Sequence, residues 1–143
     1  MQAALAGRCR CESAFIGVTM MGRKKLLIFI VAYNAEKTIA SVLSRIPVSQ
    51  LGAETEVLVI DDSSKDNTFK VAGENRDNLG GMKLTVLRTP SNQGYGGNQK
   101  IGYQYAIENG FDVVALVHGD GQYAPERLPQ LVKPVMDGEA DAC

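Results

Sequence analysis

The feature that most constrains the fold is a repeated alternation of patterns. Four short apolar runs, at 26–32, 56–60, 83–88 and 112–117, are separated by stretches with helical spacing. The runs LLIFIVA and VVALV are continuous and rich in β-branched residues, as expected of strands buried on both faces. After the first run, Asn34 suits an N-cap, and Ile39, Val42, Leu43 and Ile46 repeat at i, i+3, i+4 and i+7 until Pro47 stops the pattern. Cap-type residues between Asp61 and Thr68 predict a second helix from about Asp66 to Asn75. A third is predicted from about Asn98 to Asn109, with Gly110 as its stop. A fourth should begin at Pro125, with Leu128, Leu131, Val132 and Val135 on its apolar face and Pro134 kinking or shortening it. Strands joined by helical crossovers must lie parallel, with helices covering both faces of the sheet. The expected fold is therefore three-layer α/β/α, with a mostly parallel central sheet and a Rossmann-like nucleotide-binding arrangement.

In such sheets the carboxyl ends of the strands share one edge, and ligands bind there. Three groups of polar residues fall at those ends. They are Tyr33, Asn34 and Glu36; then Asp61 and Asp62; then His118, Asp120 and Gln122. The last three alternate after the run Val113–Val117, so strand periodicity points them the same way. An imidazole, a carboxylate and an amide oxygen are the ligand types a divalent cation needs when it holds a nucleotide diphosphate. Tyr33 suits the wall of a base pocket, and Asp61 suits base N–H groups or ribose hydroxyls. The competing readings are local: Asp61 and Asp62 also suit a helix start, Tyr33 also suits packing, and a single histidine at a strand end often bonds only its neighbours. The glycines of GYGG (94–97) predict a loop that approaches a ligand closely.

Charge and length narrow the function. The 143 residues carry a formal net charge of −1, which gives no electrostatic footing for nucleic acid. No apolar run has the length of a membrane-spanning helix. The three cysteines, Cys9, Cys11 and Cys143, form no zinc spacing and no disulfide framework, which favours a reducing compartment. Residues 1–24 read as an extension without structure, and 25–143 as one domain that looks like the first half of a larger catalytic unit.

The strings IFIVAYNAEKTI (28–39), VLVIDDSSKDNT (57–68), NQGYGGNQKIGYQYA (92–106) and HGDGQYAPE (118–126), taken in this order, resemble the family 2 glycosyltransferases. The resemblance is nearest to their polyprenyl-phosphate branch, the dolichyl-phosphate mannose synthase-like enzymes. It implies the GT-A fold and an inverting transfer of a sugar from a UDP- or GDP-sugar. It also implies a divalent cation, Mg²⁺ or Mn²⁺, and a lipid-phosphate acceptor at the cytoplasmic face of a membrane. Carried onto this sequence, it implies that Ala32, Tyr33 and Glu36 line the base and ribose pocket. Asp61 would contact base or ribose, and Asp62 would support that turn. Asp120 would be the central catalytic and metal-binding carboxylate, with Gln122 a further ligand. Pro125 and Glu126 match the residues that follow this motif in the family.

Three positions depart from the family pattern. Val31 stands where proline is common. His118 stands where the first aspartate of D-x-D is usual, and as a metal ligand it would suit Mn²⁺ better than Mg²⁺. Lys100 stands where many relatives carry asparagine, and is expected near a phosphate. The alternative reading is a non-catalytic nucleotide-sugar-binding fragment without an acceptor half. A dinucleotide-dependent oxidoreductase is disfavoured, because YNAEKTI (33–39) contains no glycine where G-x-G-x-x-G would stand.

Overall fold

Each apolar run becomes a strand. The computed structural model describes residues 2–5, 24–52 and 54–142. A short strand, β1 (Gln2–Leu5), is followed by β2 (Leu26–Ala32), β3 (Thr55–Asp61), β4 (Leu84–Arg88) and β5 (Val113–His118). The helices are α1 (Ile39–Ser44), α2 (Thr68–Glu74), α3 (Gly94–Glu108) and α4 (Leu128–Asp137). The sheet order is β1-β5-β2-β3-β4. Strands β2 to β5 are mutually parallel, and β1 runs antiparallel to β5 at the edge.

Alternation along β2 sorts the core into two layers. Leu26, Ile28 and Ile30 face α1, α2 and α4, packing with Ile39, Val42, Leu43, Ala72, Leu128 and Val132. Leu27, Phe29 and Val31 face α3, with Ala106 and Phe111. The three-layer α/β/α expectation therefore holds. All seven residues of β2 are buried, as a central parallel strand requires. Among the described residues, no helix is long and apolar enough to cross a membrane.

The chain steps outward from β2 to β3 to β4, then returns to the other side of β2 for β5. The helix of that return, α3, lies on the opposite face from α1 and α2. The connections thus diverge between β2 and β5, which opens a crevice at their carboxyl ends. Register sets Val31 beside His118, Ala32 beside Asp61, and Asp61 beside Arg88.

Three expectations differ from what is seen. The third helix starts at Gly94, not near Asn98, so the glycine cluster forms its first turn and not a loop. Pro134 does not interrupt α4, which continues to Asp137 and ends at Gly138 with φ 79°. Burial of Leu128, Val132 and Val135 holds the helix through it, and the Pro134 carbonyl accepts the Glu139 N–H at 2.8 Å beyond the helix end. Gln2–Leu5, inside the segment expected to lack structure, pairs with β5; residues 6–23 and Cys143, and with them all three cysteines, lie outside the described residues.

Candidate functional site

A cleft of about 350 Å³ occupies the crevice between β2 and β5. The end of β2 supplies Val31, Ala32 and Tyr33. The end of β5 supplies His118, Gly119 and Asp120. Asp62 follows β3, and the start of α3 adds Asn92, Gly94, Tyr95 and Asn98.

The Asp120 loop is shaped by two glycines. Gly119 continues the ladder, donating its N–H to Val31 O at 2.9 Å. A Cβ there would meet Val31 O at 3.1 Å and the Ala32 Cβ at 3.2 Å, so the close approach needs glycine. Gly121 has φ 78°, a left-handed conformation that turns the chain immediately after Asp120. Thr38 Oγ1, at the entry to α1, donates to Gly119 O at 2.7 Å and ties the loop down. Strand alternation ends at His118. Beyond it, Asp120 Oδ1 accepts the Gln122 N–H at 3.0 Å, an aspartate turn that leaves both side chains exposed. Asp120 lines the cleft and Gln122 does not. Glu126 is engaged by Arg45 in a two-pronged pair at 2.6 and 2.9 Å. The guanidinium hydrogen bonds hold its carboxyl below the ordinary value.

His118 sits between two tyrosine rings, with centroids at 5.1 Å from Tyr95 and 5.2 Å from Tyr123. Its Nε2 lies 3.0 Å from the Tyr95 hydroxyl, so that nitrogen faces a phenol. Among the described residues, no group of three His, Cys, Asp or Glu side chains is placed to hold a metal. The exposed Asp120 carboxylate, with the Gln122 amide after it, still fits a cation of the Mg²⁺ or Mn²⁺ kind. Such ions keep several waters and bind through one or two protein carboxylates plus substrate phosphates.

The two adjacent aspartates have different work. Asp61 is fully buried and does not line the cleft. Its Oδ1 accepts from the Ser64 N–H and hydroxyl, and its Oδ2 lies 3.4 Å from Arg88 Nε. That approach is an ion contact and not an aligned hydrogen bond, since Oδ2 has no hydrogen-bond partner. Arg88 in turn donates to Ser64 O at 2.6 Å. Asp61 therefore braces the end of β3. Asp62 lines the cleft and anchors α3: its Oδ1 accepts the Gln93 N–H at 2.8 Å and the Thr89 hydroxyl at 3.0 Å. A carboxylate at a helix N-terminus is favourable, and this one explains the early start of α3. Asn92 Oδ1 adds a bond from the Gly94 N–H at 3.0 Å.

The loop after β2 is held by the loop after β3. Asn34, with φ 49°, donates its N–H to Ser64 Oγ at 2.8 Å, and the Ala35 N–H reaches Thr68 Oγ1 at 2.8 Å. Asp66 Oδ2 accepts the Glu36 N–H at 3.1 Å. Burial pushes the Asp66 carboxyl up, but the bonds from Thr68 and the Glu36 N–H together hold it below the ordinary value. The Glu36 carboxylate bonds the Asn67 amide at 2.9 Å and its N–H at 3.2 Å, outside the cleft. These bonds leave Tyr33 half exposed over the cleft.

The structure thus brings Ala32, Tyr33, Asp62, His118 and Asp120 together, and sets Glu36, Asp61 and Gln122 outside the cleft lining. Lys100 lies elsewhere, on a separate groove along α3 with Leu87, Gln104 and Glu108. Helical geometry accounts for this, because Lys100 follows Asn98 by two residues, about 200° around the helix. Asn98 itself was not anticipated. It is 2% exposed, its Nδ2 donates to Ile60 O at 3.0 Å, and its Oδ1 has no hydrogen-bond partner. The signal in the sequence was its place with Gly102 and Ala106 at i, i+4 and i+8, the buried face of α3.

Comparison with known proteins agrees with this architecture. Residues 27–143 match the family described as Glycosyl transferase family 2. A UDP-N-acetylglucosamine–dolichyl-phosphate N-acetylglucosaminyltransferase from Methanococcus voltae is 30% identical over 127 residues, covering 82% of this chain and 49% of that protein. An undecaprenyl-phosphate mannosyltransferase from Micrococcus luteus is 31% identical over 113 residues, covering 78% of this chain and 44% of that protein. The chain thus spans about half the length of these relatives. Among solved structures, a Pyrobaculum calidifontis mannosyltransferase in complex with GDP-Man and Mn²⁺ superposes with a TM-score of 0.63 at 19% identity, over 78% of this chain and 32% of that one. A Mycobacterium tuberculosis glucosyl-3-phosphoglycerate synthase, crystallised with Mn²⁺, UDP and glucosyl-3-phosphoglycerate, gives 0.61 at 26% identity, over 83% and 42%. On its sequence and on its GT-A arrangement of strands and helices, the chain belongs to glycosyl transferase family 2.

Proposed function

We propose that this chain is the donor-binding part of an inverting glycosyltransferase, which moves a sugar from a nucleotide-diphosphate sugar to a polyprenyl phosphate. The observation that carries the reading is the cleft between β2 and β5, with Asp62 and Tyr33 among its walls and the exposed Asp120 carboxylate at the end of β5. Donor recognition falls to Tyr33, as a half-exposed aromatic wall, and to Asp62, as a fixed acceptor for base or ribose. Ala32 gives the close backbone approach between them. Asp61 and Glu36 act one layer out, by holding the loops that present these groups.

Asp120 and Gln122 are the residues that would hold a divalent cation. When bound, the cation supplies charge compensation for the diphosphate leaving group. The Gly119–Gly121 turn keeps Asp120 in place before the donor arrives, so little reorganisation remains at the reacting end. The acceptor is an anionic phosphate, which attacks the anomeric carbon without a strong base. The polyprenyl-phosphate acceptor is supported by the names of the relatives, which act with dolichyl phosphate and undecaprenyl phosphate.

Calorimetric titration with UDP and GDP, each with and without Mn²⁺, tests the reading. Metal-dependent binding of one nucleotide by the wild type, lost in Asp120→Ala, is the expected result. Transfer of labelled sugar to a short polyprenyl phosphate separates an enzyme from a module that only binds its nucleotide sugar. Binding of neither nucleotide refutes the donor-site reading.

A further inference from the structure

Helix α3 reverses the usual sorting of a surface helix. Such a helix places apolar residues inward and polar ones outward. The inward face of α3 instead carries Asn98, Gly102 and Ala106, while Ile101 and Ile107 are 38% and 56% exposed. Beside α3 the sheet ends, and among the described residues no strand pairs with the outer edge of β4. Leu87 of β4 is 38% exposed there. Together with Ile101, Gln104 and Tyr105 it lines one open groove between the helix and the sheet edge.

The charges of this groove select its occupant. Lys100 and Glu108 both line it, one helical turn before and one turn after Gln104. Both are exposed, and among the described residues neither takes part in an ion pair. A partner of uniform charge would be attracted at one end of the groove and repelled at the other. A second α3, laid antiparallel with its own Gln104 opposite this one, is attracted at both ends, because each Lys100 then approaches the Glu108 end of the other helix. The same two-fold exchange relates Ile101 and Ile107, which stand three residues to either side of Gln104. Helical spacing keeps all four within about 60° of the Gln104 direction, on one face. A two-fold interface requires this self-complementarity, in which residue i meets j and j meets i.

We infer that this chain forms a two-fold dimer through the outer face of α3, with the α3 of the second copy antiparallel to it. Ile101, Ile107 and Leu87 of each copy supply the apolar middle, and Lys100 and Glu108 supply the ends. None of these residues lines the cleft between β2 and β5, so the inference does not depend on the donor reading.

Sedimentation equilibrium of the full 143-residue chain tests this, over a range of protein concentrations at low and high salt. The wild type should pass from the mass of one copy to that of two as concentration rises. Salt should weaken the dimer by screening its exposed charge pairs. Lys100→Glu and Glu108→Lys should each weaken dimerisation at least about tenfold, since symmetry turns both end contacts from attraction to repulsion at once. The double variant should restore the dimer, because its ends are complementary again. Lys70→Glu, on α2 across the sheet, should leave it unchanged. If a reversal impairs folding, Lys100→Gln and Glu108→Gln read the same contacts without repulsion, and each should weaken the dimer. A wild type with the mass of one copy at every concentration overturns the inference. So does a dimer indifferent to the substitutions at Lys100 and Glu108, since it uses another surface. Loss in both single reversals without recovery in the double variant overturns the antiparallel pairing.

Discussion

Gly102→Ala should unseat α3 and empty the cleft of its α3 side chains. A Cβ at Gly102 would lie 2.2 Å from the Phe29 Cε1 and Cζ atoms. That is roughly 1.2 Å short of ordinary van der Waals contact. Phe29 is fully buried in the central strand, between Leu58 and Leu116 on the neighbouring strands, so its ring has no free space to enter. The helix must retreat instead. Overpacking of this kind costs about 1–3 kcal/mol, and replacing a helical glycine with alanine returns up to about 1 kcal/mol. With the full return the net loss is up to about 2 kcal/mol, which lowers the melting temperature of a domain this size by up to roughly 8 °C. Asn98 lies one turn earlier on the same face, and a retreat of that size breaks its 3.0 Å bond to Ile60 O. Nucleotide affinity should therefore fall as well. Gly96→Ala is the control in the same helix, since nothing lies within 4 Å of its added Cβ. It should be neutral or stabilise by up to about 1 kcal/mol. Thermal melts followed by circular dichroism read both variants. A Gly102→Ala protein that melts at or above the wild type refutes the close approach of α3 to β2.

Removing Asp62 with Asp62→Ala strips the N-terminal anchor of α3 and should cost about 1–2 kcal/mol by denaturant titration, with loss of nucleotide binding. Asp120→Ala should leave the melting temperature within about 1 °C of wild type, because the side chain is exposed, while abolishing any metal-dependent nucleotide affinity. Asp66 has a carboxyl pKa depressed by folding, so its contribution is present above the unfolded value and is lost as pH falls through the folded one. Acid titration of Asp66→Asn should accordingly show a shallower loss of stability on the acid side than the wild type. Arg45→Ala should change stability by no more than about 1 kcal/mol in a double-mutant cycle with Glu126→Gln, and less in high salt, since both partners are well exposed.

The strands were legible because a central parallel strand must be apolar on both faces, and 26–32 has no other use. The ligand edge was legible for the same reason, since polar residues directly after such runs fall at one end of the sheet. The start of α3 was not legible. It depends on the Asp62 carboxylate, which is remote in sequence from the Gln93 N–H it accepts. Gln122 was placed by strand alternation, but the strand ends at His118 and a glycine-bounded turn takes over. The division of labour between Asp61 and Asp62 was not legible either. Two adjacent residues at a strand end point to opposite faces, and only the positions of Ser64 and Arg88 decide which one the cleft receives. The same long-range dependence hid Asn98, whose unpaired carbonyl is visible only when the helix is seated on the sheet.

The most direct test of the donor site is amide chemical-shift mapping of the labelled protein, titrated with the nucleotide that binds, in the presence of Mg²⁺. The account predicts perturbations at Tyr33, Asp62, Tyr95, Asn98 and Asp120, with the Lys100, Gln104 and Glu108 groove silent. Perturbations centred on that groove, or none around the ends of β2 and β5, would contradict it.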